Sequence, residues 1–260
     1  MHQGVDHKLD DNPDLLLSVV VPVFNELENI EPLVEEIRHA LDGLIDYEIL
    51  YVDDGSSDGS PALLEKLAAE QARLRFVAHE TNCGQSAAMV TGVVSARGAL
   101  IATLDGDGQN DPADIPKLLA HLSNLADSRI DRVLVVGRRE KRRDTWLKRI
   151  SSRVANGVRS RMLNDQTPDT GSGLKVFTRS MFLALPMFDH MHRFLPALVI
   201  RNQGSVISVA TNHRQRRLGT SKYGLHNRLW IGIIDMLGVM WLQRRPMRAS
   251  MIERLGKRDV

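Results

Sequence analysis

Cysteine is almost absent from this sequence. Cys83 is the only one among 260 residues, so no disulfide can form within the chain. The amino end also lacks the basic and then apolar segment of a secretory leader. Small exported proteins commonly depend on both features. The sequence therefore predicts a protein of the cytoplasm.

Long apolar runs are missing as well. The longest, residues 229–242, contains Asp235 and is shorter than the roughly 18 to 20 residues that a membrane-spanning helix needs. We therefore predict no membrane span. Hydrophobic residues still make up 43% of the chain and charged residues 25%, which suits one α/β domain with a sizeable core and extensions.

Two common nucleotide-binding signatures are also lacking. No Gly-x-Gly-x-x-Gly fingerprint follows the first apolar run, and no Gly-x-x-x-x-Gly-Lys-Ser/Thr phosphate loop occurs anywhere. These absences disfavour a dinucleotide-dependent oxidoreductase and a P-loop kinase.

Charge is present but unevenly distributed, although the net charge is only +2. Residues 1–137 contain 9 Lys or Arg and 24 Asp or Glu. Residues 138–260 contain 25 Lys or Arg and 8 Asp or Glu. The positive excess of the second part favours a phosphate-rich partner or an anionic membrane. Nucleic acid is the rival interpretation, and a solvated basic face is the simplest one.

Apolar runs alternate with amphipathic segments along the chain. The predicted strands are 15–24, 47–52, 76–78, 100–104, 133–136, 174–177 and 206–210, the last at a sheet edge. The predicted helices are 30–41, 61–72 with Ser60 as its N-cap, 85–96, 111–122, 146–163 and 230–241. This order is typical of a doubly wound, mostly parallel sheet, whose ligands bind beyond the carboxyl ends of the strands.

The most distinctive stretch is Asp-Gly-Asp-Gly-Gln-Asn-Asp at 105–111, directly after a predicted strand. Its three carboxylates, Asp105, Asp107 and Asp111, repel one another unless a cation lies among them. Oxygen ligands on a short loop suit Mg²⁺ or Mn²⁺, which keep positions open for substrate phosphates. For the Asp-x-Asp pattern alone, an Asp/Gly turn without a metal is the alternative.

Two amphipathic segments lie in the basic half. Residues 146–163 place an apolar stripe on one side of a predicted helix and basic residues on its flanks. A second, strongly apolar helix precedes Arg244, Arg245 and Arg248. Helices of both kinds lie in the interface of anionic membranes. The first could equally pack on its own domain, and the second could form a homo-oligomer interface.

Six short motifs occur in a fixed order. They are Ser-Val-Val-Val-Pro-Val-Phe-Asn-Glu (18–26), Val-Asp-Asp-Gly-Ser-Ser-Asp-Gly (52–59), Asn-x-Gly (82–84), Asp-Gly-Asp-Gly-Gln (105–109), Asp-Thr-Gly-Ser-Gly (169–173) and Arg-x-x-Gly-x-Ser-Lys-Tyr (216–223). In this order the chain resembles dolichol-phosphate mannosyltransferase and its bacterial polyprenyl-phosphate relatives, which are family 2 glycosyltransferases. The resemblance covers about residues 16–228.

The resemblance implies an α/β protein of GT-A type, with a doubly wound, mostly parallel sheet and C-terminal amphipathic helices. It implies a glycosyltransferase domain (15–228), while the residues themselves predict a disordered, polar and acidic tail (1–14) and a membrane-associating apolar and basic helix and tail (229–260). Within the domain, residues of about 15–137 would form the nucleotide-sugar half, and residues of about 138–228 the acceptor half.

On the donor side, the resemblance implies a base and ribose pocket. Its residues would be Pro22, Val23, Glu26 and Asp54. The donor would be GDP-mannose or a UDP-sugar.

The resemblance also implies the catalytic centre. Asp105, Asp107 and Gln109 would bind the donor and a divalent metal, Mg²⁺ or Mn²⁺, with Asp107 as the direct ligand. Arg216 and Lys222 would hold the donor phosphates.

On the acceptor side, the resemblance implies a cradle for a lipid phosphate. The residues implied are Arg138, Lys148, Arg149, Ser152, Arg153 and Asp169. Lys148 stands where family members often have Arg, so either Lys148 or Arg149 would contact the phosphate, because lysine lacks the bidentate fork of arginine. For Asp169, a turn-capping role is the alternative to contact with sugar hydroxyls.

The implied activity is inverting transfer of a sugar to a polyprenyl or dolichyl phosphate on the cytoplasmic face of a membrane, with no nucleic-acid partner. A sugar-1-phosphate nucleotidyltransferase would need a glycine-rich, basic signature after the first strand, where this chain has residues 22–26. Two further alternatives are a family 2 transferase with a soluble or saccharide acceptor and a non-catalytic scaffold that binds membrane or nucleic acid.

Overall fold

The computed structural model describes residues 17–123, 130–139, 162–163, 171–212, 214 and 226–245. The predicted tail 1–14 and almost all of the predicted helix 146–163 lie outside these ranges.

The described strands form a single sheet of seven strands, in the order β3-β2-β1-β4-β6-β5-β7. The strands are β1 (Leu17–Val23), β2 (Tyr47–Asp53), β3 (Leu74–Ala78), β4 (Leu100–Thr103), β5 (Val133–Arg139), β6 (Lys175–Thr178) and β7 (Ser205–Thr211). β6 runs antiparallel to β4 and β5, and the other neighbours are parallel. The predicted mostly parallel sheet is confirmed, and β7 is an edge strand as expected.

Helices cover both faces of the sheet. They are α1 (Leu27–Leu41), α2 (Ser60–Glu70), α3 (Gln85–Ser95), α4 (Ile115–Ser123), α5 (Arg179–Leu183), α6 (Leu195–Arg201) and α7 (His226–Gln243). One core contains buried side chains of α1, α2 and α4, and a second core on the other face contains those of α3, α5, α6 and α7. β1 and β2 are buried almost throughout because they lie between these two layers.

Some boundaries differ from the predicted ones. Ser60 is the first residue of α2 and Gly59 precedes the helix, so the predicted Ser60 N-cap is wrong. The segment predicted as one helix over 111–122 begins as a 3₁₀ turn, Pro112–Asp114, in which the Ala113 N–H donates to the Asp111 carboxylate. Asp111 precedes Pro112 and is extended, as expected of a residue before proline, so it cannot begin the helix, and the regular α-helix starts at Ile115.

α7 is longer than predicted and packs through one side only. Val239 is buried in the second core, whereas Ile234, Leu237 and Trp241 are 67%, 53% and 59% exposed. Its carboxyl end is held to α6, because the Arg201 guanidinium donates to the Leu242 and Arg245 carbonyls. None of the described helices has the length and apolar character needed to cross a membrane.

Candidate active site

A cleft opens at the carboxyl ends of β1, β2 and β4, at the edge where a parallel sheet binds its ligands. Its walls come from four segments that are distant in sequence: the end of β1 with the residues after it, the residue after β2, the start of α3 and the residues after β4. Its lining is Pro22, Val23, Phe24, Glu26, Asp54, Gln85, Ala88, Asp105, Gly106 and Asp107. The structure thus brings together four predicted donor-pocket residues and two predicted metal ligands.

The loop after β4 lies directly against the end of β1. A Cβ atom on Gly106 would lie 2.4 Å from Val23 Cγ1 and 2.9 Å from the Pro22 carbonyl oxygen. Only glycine permits this approach. The glycine of the acidic motif therefore seats Asp105 and Asp107 beside the apolar wall formed by Pro22 and Val23.

Asp54 is buried and its carboxylate organises one rim of the cleft. It accepts hydrogen bonds from the backbone N–H groups of Cys83 (2.9 Å) and Gly84 (2.8 Å). His79 Nδ1 lies 2.7 Å from the same carboxylate and must donate to it, while His79 Nε2 lies 2.9 Å from the Thr91 hydroxyl. Asp54 thereby fixes the Asn-x-Gly segment to the end of β2.

Asp105 is the most strongly perturbed acid of the cleft. Burial, reinforced by the negative charge of Asp107, raises its pKa to about 6, although Lys175 and a hydrogen bond from Gln85 Nε2 (2.9 Å) oppose the rise. A Cβ atom on Gly173 would lie 2.2 Å from the Asp105 carboxyl carbon, so the carboxyl group packs directly on a glycine. The positive charges of Lys175 and Arg139 therefore offset the burial of this carboxylate only in part.

The Asp105 and Asp107 pair fits a divalent cation. A hard cation favours oxygen ligands and would relieve the repulsion that raises the Asp105 pKa. Because a ligand must be deprotonated, protons compete with the cation at Asp105 below about pH 6.

A second set of metal-ligating groups lies at the rim. Asp54, His79 and Cys83 each offer one ligand atom, and these atoms lie within 4.8 Å of one another. Both ring nitrogens of His79 and both carboxylate oxygens of Asp54 already have protein partners. The acidic pair is therefore the better cation site.

Near the acidic pair lie a buried lysine, Lys175, and a partly buried histidine, His192. Lys175 is buried on β6 and its ammonium donates to the Ser172 carbonyl. His192 Nδ1 lies 2.7 Å from the Ser86 hydroxyl, which also accepts the His192 backbone N–H. Burial, with the positive charge of Lys175 second, lowers the pKa of His192 to about 3.

The neutral His192 should make the folded protein sensitive to acid. The unfolded histidine binds a proton below about pH 6.5, whereas the folded one resists protonation down to about pH 3. Stability is therefore lost as pH falls from 6.5, by up to about 1.4 kcal/mol per pH unit. Between pH 6.5 and 5, we expect the free energy of unfolding of the wild type to fall about 1.6 kcal/mol further than that of His192→Gln, because the unfolded histidine is already half protonated at pH 6.5.

Urea unfolding at the two pH values measures this difference. Glutamine keeps a polar partner for Ser86 but does not titrate. Asp105 titrates with the opposite sign in both proteins, so its contribution cancels in the comparison. Equal losses in wild type and variant would contradict the assignment of a neutral, partly buried His192.

Other predicted site residues are only partly placed. Arg138 is exposed at the end of β5. Gln109 is beside the cleft, and its backbone N–H donates to Asp107 Oδ1 at 3.1 Å. Seven predicted residues lie outside the described ranges: Lys148, Arg149, Ser152, Arg153, Asp169, Arg216 and Lys222. Their roles stay predictions.

Several residues of the site were missed by sequence reasoning. Gln85 could have been noticed because it directly follows the Asn-x-Gly motif. Lys175 interrupts an apolar strand, which is itself an unusual signal for a buried position. His79, Thr91 and His192 have no local pattern that marks them.

Comparisons with known proteins agree with this geometry. Residues 18–185 match the family model described as Glycosyl transferase family 2. The chain is 38% identical over 242 residues to dodecaprenyl-phosphate galacturonate synthase of Rhizobium johnstonii, covering 90% of this chain and 69% of that protein. It is 35% identical over 211 residues to undecaprenyl-phosphate 4-deoxy-4-formamido-L-arabinose transferase of Edwardsiella ictaluri, and the match covers 80% of this chain and 63% of that protein.

Solved structures share the fold. Glucosyl-3-phosphoglycerate synthase of Mycobacterium tuberculosis, in complex with Mg²⁺ and uridine diphosphate, matches with a TM-score of 0.65 at 17% identity, covering 90% of this chain and 81% of that one. The complex of the same enzyme with Mn²⁺, UDP-glucose and glycerol 3-phosphate matches with a TM-score of 0.62 at 18% identity. The match covers 90% of this chain and 82% of that one. The predicted GT-A type fold is confirmed by this likeness.

Proposed function

Because the chain belongs to glycosyltransferase family 2, we propose that it transfers a sugar from a nucleoside diphosphate sugar to a polyprenyl phosphate, with inversion at the anomeric carbon. The observation that carries the proposal is the cleft at the carboxyl ends of β1, β2 and β4. The cleft combines an apolar wall (Pro22 and Val23), the buried carboxylate of Asp54 and the pair of carboxylates of Asp105 and Asp107. The curated relatives, which extend beyond the matched part, are named as polyprenyl-phosphate sugar enzymes.

The donor would lie along the cleft. Pro22 and Val23 offer an apolar surface for the base, while Asp54 and Glu26 offer acceptors for base and ribose N–H and O–H groups. The base is uracil or guanine, giving a UDP-sugar or GDP-mannose as donor.

The diphosphate would meet the acidic pair. Asp105, Asp107 and Gln109 would hold Mg²⁺ or Mn²⁺, which supplies positive charge to the departing diphosphate when bound. Arg216 and Lys222 would add charge-assisted hydrogen bonds to the same phosphates.

The transfer itself needs little proton chemistry. A lipid monophosphate has a second pKa of about 6, so at pH 7 it is largely dianionic and attacks without a general base. Its oxygen forms the new bond to the anomeric carbon as the bond to the β-phosphate oxygen breaks, and the nucleoside diphosphate leaves with the electron pair. One displacement inverts the configuration.

The acceptor phosphate would lie on the basic half of the chain. Arg138, at the end of β5, is two strands from β4 in the sheet and is exposed. Lys148 or Arg149, together with Ser152, Arg153 and Asp169, would complete the cradle. The positive charge there offsets the repulsion between two anionic substrates.

A transfer assay tests this proposal. Purified protein with Mn²⁺ or Mg²⁺ is given radiolabelled UDP- and GDP-sugars, with undecaprenyl phosphate in detergent or glycerol 3-phosphate in buffer as the acceptor. We expect label in the lipid fraction with one donor class and an inverted linkage. Label only on the soluble acceptor would assign the alternative family 2 activity, and no transfer with any donor would contradict the proposal.

The acceptor's location suggests that the protein docks peripherally on the inner face of a membrane. The exposed side of α7 carries Ile234, Leu237 and Trp241, and Arg244 and Arg245, which directly follow the helix, could pair with lipid headgroups. The Arg245 guanidinium lies 5.3 Å from the Trp241 ring centroid, next to this apolar side. The other side of α7 is seated on the domain through Val239.

Liposome sedimentation checks this docking. We expect the wild type to bind anionic vesicles, with binding that weakens but persists in high salt, because salt screens charge but not apolar burial. Replacing Leu237 and Trp241 by Ser removes roughly 1.5–3 kcal/mol of burial at each position, so binding should fall at least about tenfold.

Leu44 provides the matched control. It is 70% exposed and lies between α1 and β2, far along the chain from α7. Leu44→Ser should therefore bind vesicles like the wild type. If the wild type stays in the supernatant even at low salt, docking is wrong, and the apolar side of α7 is better explained as a homo-oligomer interface.

A further inference from the structure

An arginine beyond the last strand reaches back to the first helix. The guanidinium of Arg214 donates two parallel hydrogen bonds to the Glu36 carboxylate of α1, from Nη1 to Oε1 at 2.8 Å and from Nη2 to Oε2 at 2.7 Å. The two residues are 178 positions apart in the chain. Both side chains are only 23% and 33% exposed, so the pair is better shielded from water than an ordinary surface ion pair.

The same arginine also holds the acidic loop. Its Nη2 donates to the Asn110 carbonyl at 2.9 Å, and its backbone N–H donates to the Gln109 carbonyl at 2.9 Å. The Asn110 side chain is buried and its Oδ1 accepts the Asp105 backbone N–H at 3.3 Å. A continuous set of hydrogen bonds therefore runs from Glu36 through Arg214 and Asn110 to Asp105.

These contacts of Arg214 with Glu36, Gln109 and Asn110, which we call the Arg214 brace, would hold the acidic loop against its own charge repulsion. The carboxylates of Asp105 and Asp107 repel each other, and the loop contains two glycines that give the backbone freedom to spread. Arg214 fixes the loop's far end at two carbonyls and brings a positive charge within 3.9 Å of the Asp111 carboxylate. The loop can then present its two cleft carboxylates without prior rearrangement.

We propose that Arg214 is a positioning residue that, braced by Glu36, holds the 105–110 loop in the conformation in which Asp105 and Asp107 converge on a divalent cation. The inference rests on the proposed function for the identity of the cation site. Arg214 bonds the loop at the Gln109 and Asn110 carbonyls and is not among the residues that line the cleft.

The chain offers a matched control for simple anchoring. Lys117 of α4 donates to the Ala210 carbonyl at 2.5 Å, so it ties the same end of β7 to the domain. No hydrogen bond described for Lys117 reaches residues 105–110. If Arg214 acted only by holding the end of β7, then Lys117→Ala and a change at Arg214 would have similar effects.

The test compares Arg214→Lys, Glu36→Gln and Lys117→Ala with the wild type by two measurements. Lysine keeps the charge but not the two-pronged geometry. Hydrogen exchange of a peptide containing residues 105–110 reports the loop directly. Calorimetric titration with Mn²⁺ in the presence of UDP or GDP reports the cation site without any turnover.

We expect Arg214→Lys and Glu36→Gln to exchange at least about fivefold faster in this peptide and to bind Mn²⁺ about tenfold more weakly, with Lys117→Ala near wild type in both. A tenfold change corresponds to about 1.4 kcal/mol, in the range of hydrogen bonds to charged groups. Unchanged exchange, or equal changes in Lys117→Ala, would overturn the inference. If the wild type binds no Mn²⁺, the proposed cation site fails, and the exchange result alone decides whether Arg214 braces the loop.

Discussion

Replacing Asp107 by Asn should lower the rate of sugar transfer by roughly a hundredfold to a thousandfold, because charge stabilisation of a leaving group by a bound cation contributes several kcal/mol. Asp107 lines the cleft beside Asp105, and its negative charge is one cause of the raised Asp105 pKa. The substitution removes repulsion, so the thermal stability of the protein without metal should hold or rise. A transfer assay and a thermal unfolding curve measure the two effects.

Asp111→Asn is the matched control for charge alone. Asp111 belongs to the same acidic stretch, but its carboxylate accepts the Ala113 N–H and it is not among the cleft-lining residues. Asparagine keeps the capping hydrogen bond, so transfer should stay within about threefold of wild type. Near-normal turnover in Asp107→Asn would defeat its assignment as a metal ligand.

Replacing Asp54 by Ala should raise the donor KM by about tenfold to a hundredfold and also weaken the fold. The change removes the acceptor of the Cys83 and Gly84 N–H groups and the partner of His79. Each buried donor left unsatisfied costs about 1–3 kcal/mol, so the rim segment should lose its fixed position. Steady-state kinetics with varied donor, together with urea unfolding, separate the two losses.

Asp58→Ala provides the comparison, because Asp58 lies in the same loop after β2 but accepts the N–H groups of Leu27 and Ser60 and is not among the residues that line the cleft. We expect a modest loss of stability and little change in donor KM. Asp54→Ala with an unchanged donor KM would remove Asp54 from the donor pocket. A rise in KM for the acceptor alone would move it to the other substrate.

Much of the fold could be predicted because its signals are local. β1 and β2 are continuous apolar, β-branched runs, as strands buried on both faces must be. α1 repeats Leu33, Ile37 and Leu41 on one buried stripe. Boundaries were less predictable, as at Ser60 and Pro112, because the end of a helix depends on which backbone groups its neighbours can satisfy.

The position of the cleft was also predictable in part. Asp54 and Asp105 each follow an apolar strand directly, and parallel strands bring their carboxyl ends to one edge. The unequal charge of the two halves and the acidic stretch at 105–111 could likewise be recognised from the sequence alone. These features depend on residue type and short spacing alone, so the sequence by itself determined them.

Only the tertiary structure decided which distant side chains meet. Glu36 and Arg214 are 178 residues apart, and Ser86 and His192 are 106 residues apart. At such separations no local sequence pattern indicates that the two residues of a pair are in contact. Burial of Lys175, and the raised and lowered pKa values of Asp105 and His192, arise when packed layers exclude water. Such contacts depend on the closure of long loops and on the shared low-dielectric interior, which no local segment of the sequence contains.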